Sequence, residues 1–413
     1  MPFRIALSGL NAASSDLKVT GNNIANASTT GFKSSRSEFA DVYATSLAGV
    51  SNTAVGGGVR LARVAQQFSQ GNVEFTNNNL DLAINGEGFF VLSDNGANVY
   101  TRAGAFSIDR EGYVVNSNGQ RLQVFQPIGG SSTSFDTGSL ADLQISLAEG
   151  APRATSNVDL SVNLDAGEST TGTAASINPS DPSTYNYSTS YTVYDSFGES
   201  HAASMYFLRD SSNPLQWHVL MTLDGTTVTR NSGADTTTTL TFNTDGSLST
   251  PTTVTYDNFT PSNGASDITL TVDFADLTQY GSDYSVNGLI QNGYTTGKLT
   301  GLNIDDTGVV SARYTNGQST ALGKIALATF PNVQGLQQLG DTNWAETFAA
   351  GDRIIGEAGT SSFGLIQSGA LEASNVDIAE QLINLITAQR NFQANSQVIS
   401  TADTVTQTII NIR

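Results

Sequence analysis

The chain contains no cysteine among its 413 residues, and only 13% of its residues are charged. The absence of thiols excludes disulfide bonds, thiolate zinc sites and cysteine nucleophiles. Lysine and arginine together number 18 against 37 acidic residues, which gives a net charge of −19. Because the sequence offers no basic surface that would neutralise phosphates, nucleic acid is not an expected partner.

Long apolar runs are also missing. No stretch of about 18 consecutive apolar residues occurs, so we expect neither a spanning helix nor membrane insertion. Near the start, polar residues interrupt the apolar stretch that a cleaved secretory leader needs: Asn11, Ser14, Ser15 and Asp16. If the protein leaves the cell, we therefore expect export without a cleaved signal peptide.

The first 24 residues predict a helix with one apolar stripe. Positions 3, 7, 10, 14, 17, 21 and 24 alternate steps of four and three, the spacing of a helical packing seam. Five of these positions carry large apolar side chains: Phe3, Leu7, Leu10, Leu17 and Ile24. Ser14 and Gly21 occupy the others and would allow close approach of a second helix. The helix is expected to stop by Thr30-Gly31.

The last 36 or so residues predict a second and longer helix. Ser374 followed by Asp377 has the spacing of a capping box, which predicts the helix start. A stripe of apolar residues follows and drifts towards the end: Ile378, Leu382, Leu385, Phe392, Ile399, Val405 and Ile409. At 1.5 Å per residue this helix would be roughly 55 Å long, which exceeds the size of a small domain.

Two interpretations of the paired stripes are open. The simpler one is an ordinary coiled coil within the chain, which would normally carry Glu and Lys beside the seam. Here the flanking positions are uncharged, for example Gln389, Asn391, Gln393 and Gln397. We favour the second interpretation, a paired helical domain whose seams pack against other copies of the chain. On this view both ends are largely disordered in the free monomer and become ordered on stacking.

Between the ends, the sequence predicts β structure, so the fold class is mainly β with long terminal α-helices. Short strand-like segments such as 89–92, 187–194 and 237–242 are separated by turn signals such as Asp224-Gly225 and Asn316-Gly317. We expect two barrel- or sandwich-like β domains in a nested order. The predicted parts are a terminal helical domain (1–31 and 370–413), an extended connector (32–75), an inner β domain (76–148 and 286–369) and an outer inserted β domain (149–285).

Catalytic and cofactor sites are not expected. His201 and His218 lie in strand-like segments that we expect to be far from any cluster of acids, which favours a structural role. The acids at Asp305-Asp306 and at 273–276 follow no calcium-loop pattern. Gly86-Glu87-Gly88 lacks the third glycine and the helix of a dinucleotide site. We predict no enzyme activity, no cofactor and no metal site.

Four parts of the chain resemble, in order, the signatures of the bacterial flagellar rod and hook proteins. The first part is Ser8-Gly9-Leu10-Asn11-Ala12-Ala13, Gly21-Asn22-Asn23-Ile24-Ala25-Asn26 and Thr30-Gly31-Phe32-Lys33. The second and third are Leu82-Ala83-Ile84-Asn85-Gly86-Glu87-Gly88-Phe89-Phe90 and Tyr100-Thr101-Arg102-Ala103-Gly104-Ala105-Phe106. The fourth is Gly369-Ala370-Leu371-Glu372-Ala373-Ser374-Asn375-Val376-Asp377 with Gln389-Arg390-Asn391-Phe392-Gln393-Ala394-Asn395, in which Asn391 departs from the usual pattern.

Within this family, rod-type members lack a large domain inserted in the middle, so the segment 149–285 favours a hook-type member. The resemblance implies an extracellular structural subunit that polymerises into a curved, flexible tube and acts as a universal joint. It also implies several partners: other copies of the chain, a distal rod protein, a hook cap scaffold, hook–filament junction proteins and the flagellar export apparatus. Alternatives are a distal rod or other axial protein and, from a different class, a secreted β-rich surface adhesin.

Overall fold

The computed structural model describes residues 2–42, 56–146, 148–170, 172–230, 235–360 and 362–411. The chain forms two compact units. The first comprises Met1–Leu147, Gly301–Arg313 and Ser319–Arg413, and the second comprises Ala148–Thr300 and Tyr314–Gln318. The second unit is thus an insertion into the first, and it extends to Thr300, beyond the predicted boundary at residue 285.

Two long helices lie near the chain ends, α1 (Pro2–Ala25) and α2 (Ile378–Asn411). The N-cap of α2 is Asp377, whose Oδ1 accepts hydrogen bonds from the amides of Ala379 and Glu380 at 2.8 and 3.1 Å. The predicted capping box is wrong, because Ser374 lies outside the first turn and accepts only from the Val376 amide, at 3.3 Å. Neither described helix is long and apolar enough to cross a membrane.

The remaining regular structure is β. In chain order the strands are β1 (Ser35–Asp41), β2 (Val59–Gln66), β3 (Val73–Phe75), β4 (Leu82–Asn85), β5 (Phe89–Asp94), β6 (Ala97–Thr101), β7 (Ser107–Ile108), β8 (Val114–Val115), β9 (Arg121–Pro127), β10 (Phe135–Asp142), β11 (Asn157–Asn163), β12 (Tyr187–Tyr194), β13 (Ser200–Arg209), β14 (Gln216–Leu223) and β15 (Thr226–Thr227). They continue with β16 (Thr229–Arg230), β17 (Thr237–Phe242), β18 (Leu248–Thr250), β19 (Thr253–Phe259), β20 (Ile268–Asp273), β21 (Ser285–Gln291), β22 (Leu299–Ile304), β23 (Val309–Tyr314), β24 (Ser319–Thr329), β25 (Gln337–Gly340), β26 (Asn343–Ala345), β27 (Ile354–Glu357), β28 (Leu365–Ser368) and β29 (Ala370–Glu372).

The stretch predicted as an extended connector contains a β-hairpin. β1 pairs antiparallel with β2, with Phe39 opposite Leu61 and a register shift between Glu38 and Phe39. The hairpin contacts α1, since the Val59 amide donates a hydrogen bond to Ser8 Oγ at 3.2 Å. Residues 43–55 of the predicted connector lie outside the described residues.

The β part of the first unit is built around one large sheet. Its main strand order is β22-β23-β24-β9-β5-β6-β26-β25, so three strands from the first half of the chain lie between strands from the second half. Aromatic side chains fill the core, where Phe89 lies 5.7 Å from Trp344 and Tyr100 lies 4.8 Å from Phe330, measured between ring centroids. Two further pairs, β3 with β29 and β4 with β28, join the early strands to the strands that precede α2.

The second unit is a β-sandwich. One sheet has the order β16-β19-β20-β11-β21 and the other the order β12-β13-β14-β17-β18. Side chains from both sheets meet in one buried core, for example Val162 and Leu270 from the first sheet with Phe207 and Trp217 from the second. β21 pairs with β11 in this unit, which accounts for its extension past residue 285.

Candidate functional site

The two terminal helices pack against each other in antiparallel orientation. Asn23 Nδ2 donates a hydrogen bond to Gln381 Oε1 at 3.1 Å. About four α-helical turns towards the chain start, Gly9 faces Asn395, and a Cβ placed on Gly9 would lie 2.5 Å from Asn395 Oδ1. Between these contacts the residue number falls by 14 on α1 and rises by 14 on α2. The constant register shows that the helices run side by side, so each chain end has a partner within its own chain.

Small side chains form the tightly packed face of this pair. The buried positions on α1 are Ala6, Ala13, Thr20 and Asn23, and Ala388 is buried on α2. Small residues let the two backbones approach closely, as Gly9 does opposite Asn395. The spacing of seven between Ala6, Ala13 and Thr20 is the sequence signal for this face. The prediction missed it because it followed the large apolar residues.

The predicted seam residues fall into two groups. Half-buried positions beside the packed face are Leu10, Leu17, Ile24, Leu385, Phe392 and Ile399. The others are 42–53% exposed: Phe3, Leu7, Ile378, Leu382 and Val405. The side chain of Ile409 lies outside the described residues. The helical pair therefore buries only part of the predicted stripes and leaves large apolar side chains at its surface.

A buried ion triad anchors the helices to the β structure of the first unit. Glu372, at the end of β29, is fully buried and lies 2.6 Å from Lys33 Nζ and 3.2 Å from Arg102 Nη1. Burial lowers the pKa of Lys33 and of Arg102, while the Glu372 carboxylate opposes the shift in both. Glu372 Oε1 also accepts a hydrogen bond from the Gly71 amide at 2.9 Å. This triad was not predicted from the sequence.

Asparagine side chains fix the two places where the helices join the rest of the chain. Asn23 Nδ2 donates to the Ser35 carbonyl at 2.7 Å, and the Ser35 amide donates back to Asn23 Oδ1 at 2.8 Å. Asn375, two residues before the N-cap, accepts from the Ser34 amide at 2.7 Å and donates to the Gln67 carbonyl at 2.7 Å. These bonds hold the start of β1 against both helix bases.

Of the remaining residues of the predicted signature, those near α1 lie in or next to the turn that follows this helix, and those on α2 lie at its surface. Asn26 Nδ2 donates to the Asn22 carbonyl at 3.0 Å in the turn after α1. Gly31 has a φ of 69°, and a Cβ there would lie 2.5 Å from the Ala103 amide nitrogen. Phe32 is buried, whereas Gln389 and Arg390 are exposed on α2.

The loop at 86–89 leads from the surface into the core of the first unit. Gly86 and Gly88 adopt φ values of 121° and 124°, which a side chain would strain. Phe89 is buried, and the Arg102 guanidinium lies 5.5 Å from its ring centroid. This loop therefore positions the triad.

Both histidines of the second unit contact carboxylates. The expectation that they lie far from acids is wrong, because the turns beside their strands carry Asp195, Asp210 and Asp224, which are 6, 8 and 23 residues away from the histidine that each contacts. His201 Nδ1 lies 2.6 Å from Asp224 Oδ2, and its Nε2 lies 3.4 Å from Asp195 Oδ2. His218 Nε2 lies 2.8 Å from Asp210 Oδ2. Burial opposes a charge on His201, but its hydrogen bonds with Asp224 and Asp195 outweigh that effect and raise its pKa.

Other acids act as turn caps. Asp305 Oδ1 accepts hydrogen bonds from the Thr307 and Val309 amides at 3.0 and 2.8 Å. Asp273 Oδ1 accepts from the Ala275 amide at 2.8 Å. Among the residues that the structure describes, no group of three or more His, Asp or Glu side chains is arranged to hold a metal ion.

Comparison with known families covers most of the chain. Residues 3–33 match the family of flagella basal body rod proteins, and residues 83–165 match the D1 domain of the flagellar hook protein FlgE/F/G family. Residues 163–294 match the flagellar basal body protein FlaE D2 domain, and residues 367–412 match the flagellar basal body rod FlgEFG protein C-terminal family. The chain is 38% identical to the flagellar hook protein FlgE of Escherichia coli (strain K12), with 100% of both chains covered. It belongs to the flagellar hook protein FlgE family.

Two further FlgE relatives have lower identities. The flagellar hook protein FlgE of Borreliella burgdorferi is 33% identical and that of Treponema pallidum is 31% identical, each with 98% of both chains covered. The crystal structure of Helicobacter pylori flagellar hook protein FlgE2 matches with a TM-score of 0.55 at 16% identity, and covers 73% of this chain and 100% of that chain. This likeness supports the mainly β, multi-domain FlgE fold. Full-length membership of the FlgE family confirms the predicted hook-type resemblance and does not favour the rod or adhesin alternatives.

Proposed function

We propose that this chain is the structural subunit that polymerises into the flagellar hook, a hollow, curved and flexible tube that transmits torque from rod to filament. The observation that carries the proposal is the terminal helical pair. In a chain related to FlgE over its whole length, this pair leaves Phe3, Leu7, Ile378, Leu382 and Val405 at its surface. Large apolar side chains concentrated on a helix surface mark a protein interaction site.

The energetics favour a many-sided assembly over a simple dimer. Burying a Leu, Ile or Phe side chain completely contributes about 1.5–3 kcal/mol, so the half that remains exposed contributes about 1 kcal/mol each. These five residues, with Ile383, Ile386 and Val398 that are also exposed on α2, then supply about 8 kcal/mol in all, in the lower half of the roughly 4–15 kcal/mol that association costs. A single contact is therefore marginal, and stable assembly requires each subunit to pack against several neighbours.

The second unit suits a role on the bending outer part of the tube. β12 alternates buried Tyr191 and Val193 with exposed Ser188, Ser190 and Thr192. Such a face offers hydroxyl groups that form weak, replaceable contacts with neighbours. Bending requires outer contacts that slide or break as protofilaments lengthen and shorten, so contacts that are polar and individually weak fit this demand.

We infer that other copies of the chain are the main partner. Its further partners would be the distal rod protein, the hook cap scaffold and the hook–filament junction proteins, with delivery by the flagellar export apparatus. The support for these partners is family membership and the resemblance of both chain ends to flagellar axial proteins.

Negative-stain electron microscopy of the purified full chain under salting-out conditions tests the proposal, because sulfate strengthens apolar burial. The wild type is expected to form tubes. Leu17→Asp and Leu385→Asp should abolish tubes, since each puts a charge into the half-buried surface of the helical pair. Tubes of normal appearance from either variant would contradict a role of the helices in assembly.

Gln389→Asp is the matched control, because Gln389 is an exposed polar residue of the same helix. It should still form tubes. The β units of all variants are expected to stay folded, as judged by the fluorescence of the two buried tryptophans, Trp217 and Trp344. Loss of tubes in the control as well would assign the effect to added negative charge.

A further inference from the structure

His201 of β13 lies between two carboxylates that belong to different turns of the second unit. Its Nδ1 lies 2.6 Å from Asp224 Oδ2, in the turn between β14 and β15, and its Nε2 lies 3.4 Å from Asp195 Oδ2, in the turn between β12 and β13. His201 is buried, and the Phe259 ring meets it edge-on at 5.6 Å between ring centroids. A protonated imidazole carries an N–H on each ring nitrogen, so it donates to both carboxylates and ties the two turns together.

Asp195 is fixed in place without the histidine. It is fully buried, and its Oδ1 accepts hydrogen bonds from the amides of Phe197 and Glu199 at 2.8 and 2.9 Å. Its Oδ2 accepts a further hydrogen bond from Asn263 Nδ2 at 2.6 Å. The same Nδ2 lies 2.7 Å from Glu199 Oε2, so the third acid of this cluster is directed at Asn263. The Asp195 carboxylate is therefore held beside the ring by three other donors.

Asp224, in contrast, is free to turn into solvent. Its side chain is 45% exposed, and a Cβ placed on the next residue, Gly225, would meet nothing within 4 Å. Its Oδ1 accepts a hydrogen bond from the Ala202 amide at 2.8 Å, and its own amide donates to the Ala202 carbonyl at 2.9 Å. Rotation of this carboxylate away from the ring therefore also removes the acceptor of the Ala202 amide.

Loss of the ring proton forces a choice between the two carboxylates. Burial lowers the pKa of His201, but the hydrogen bonds with Asp224 and Asp195 outweigh this effect and raise the pKa above its ordinary value. A neutral imidazole has a single N–H, so one ring nitrogen then presents a lone pair to a carboxylate. Next to Asp195 this repulsion would persist in a buried site of low dielectric constant, whereas next to Asp224 water relieves it. The contact with Asp224 is therefore the one that breaks.

We infer that His201 and Asp224 form a proton-controlled latch, in which the neutral ring keeps its N–H on Nε2 towards Asp195 and releases the turn between β14 and β15. The opening stays local, because Val228, which follows β15, is buried in the core and its amide donates to the Met221 carbonyl at 3.1 Å. Any contact that this turn makes at the surface then depends on pH. The latch acts within the second unit and goes beyond the proposed polymerisation.

His218 provides a matched comparison in the same unit. Its Nε2 lies 2.8 Å from Asp210 Oδ2, but its Nδ1 lies 3.1 Å from the hydroxyl oxygen of Thr239. A hydroxyl group donates as well as accepts, so a neutral His218 ring has a partner for both nitrogens. The Ser212 and Asn213 amides, which donate to Asp210 Oδ1, should therefore keep their protection from exchange as the pH rises.

Nuclear magnetic resonance can follow both rings, because the chain contains only two histidines. Long-range ¹H–¹⁵N correlation spectra of the full chain, labelled with ¹⁵N-histidine, are recorded as the pH is raised from below about 6.5. Once the His201 ring is neutral, we expect its proton on Nε2 and a bare Nδ1. A neutral ring with its proton on Nδ1 would overturn the latch, and so would a ring that keeps both protons until the second unit unfolds.

Amide exchange shows whether the turn is released. The protection of the Ala202 amide, relative to an unfolded chain at the same pH, should fall by about tenfold or more as His201 loses its proton, because a hydrogen bond to a charged acceptor is lost. The Phe197 and Glu199 amides, which donate to Asp195, should keep their protection. Equal losses at all three amides, or an unchanged Ala202 amide, would contradict a local latch.

Asp224→Asn is the variant that separates the latch from other effects of pH. Asparagine presents an N–H to the bare Nδ1 of His201 and an oxygen to the Ala202 amide, and it tolerates the φ of 48° at this position. Above about pH 6.5 the protection of Ala202 should therefore stay constant in the variant. The same fall as in the wild type would show that Asp224 is not the released group. All these measurements use the unassembled chain, so their outcome is separate from that of the assembly test.

Discussion

The buried triad of Lys33, Glu372 and Arg102 allows a quantitative test of how the chain ends are anchored. Glu372→Gln keeps the side-chain shape and removes the only carboxylate at the centre of the triad. Lys33 and Arg102, which are 1% and 6% exposed, would then remain buried with no opposite charge between them. Removing one partner of a buried ion pair typically costs about 3–5 kcal/mol. That is a large share of a domain stability of about 5–15 kcal/mol.

The two tryptophans make the measurement specific, because one lies in each unit. Trp344 belongs to the first unit with the triad, and Trp217 belongs to the core of the second. In a Trp217→Phe background, urea unfolding followed by Trp344 fluorescence reports the first unit alone. With a slope of roughly 2–3 kcal/mol per M, Glu372→Gln should lower the midpoint by about 1–2 M.

The matched control is Glu38→Gln, which breaks the exposed ion pairs of Glu38 with Arg63 and Arg36. Its midpoint should stay close to that of the reference, because solvent screens exposed pairs. Lys33→Met combined with Glu372→Gln should recover part of the loss, since one of the unpaired charges is removed. A Glu372→Gln midpoint as close to the reference as that of the control would refute the assignment of the triad as an anchor.

Three further predictions follow from single contacts. The raised pKa of His201 means that its stabilisation of the second unit is complete below about pH 6.5 and is lost as pH rises through the raised value. Urea unfolding followed by Trp217 should show this fall as the pH is raised above about 6.5 in the wild type; a fall of the same size in His201→Gln would assign it to other groups. Gly9→Val should separate the helices and speed amide exchange in α1, whereas Gly9→Ala is tolerated because the Asn395 amide can rotate away. Asp377→Ala removes the N-cap of α2 and should cost about 1 kcal/mol, seen as faster amide exchange of Ala379 and Glu380; unchanged exchange would contradict the capping role.

Local patterns in the sequence were sufficient for much of the β structure. The alternation in residues 187–194 and 237–242 predicted two strands that coincide with β12 and β17. Asp224-Gly225 predicted the turn between β14 and β15, where Asp224 adopts a φ of 48°. In these cases strand and turn depend on neighbouring residues, so the sequence period and the turn chemistry decide them.

Long-range contacts were not predictable in the same way. Lys33 and Glu372 are 339 residues apart, and they meet where the Gly31 amide donates a hydrogen bond to the Glu372 carbonyl at 2.8 Å. His201 meets Asp224 because β13 pairs with β14 in a register that places Ala203 opposite Leu223. A single sequence contains no signal for the contact of Lys33 with Glu372, and Asp224 becomes a neighbour of His201 only once β13 and β14 have paired.

The helical ends show why a correct pattern led to an incomplete account of packing. Large apolar residues define the stripe that a sequence displays most clearly, but close helix packing depends on small residues such as Ala6, Ala13 and Gly9. In this chain the small residues face the partner helix, and several of the large ones remain at the surface. A folded subunit that had no further partner would gain stability by burying Phe3 and Ile383 itself. Their exposure is accounted for if contacts within a subunit use the small face and contacts between subunits use the large one.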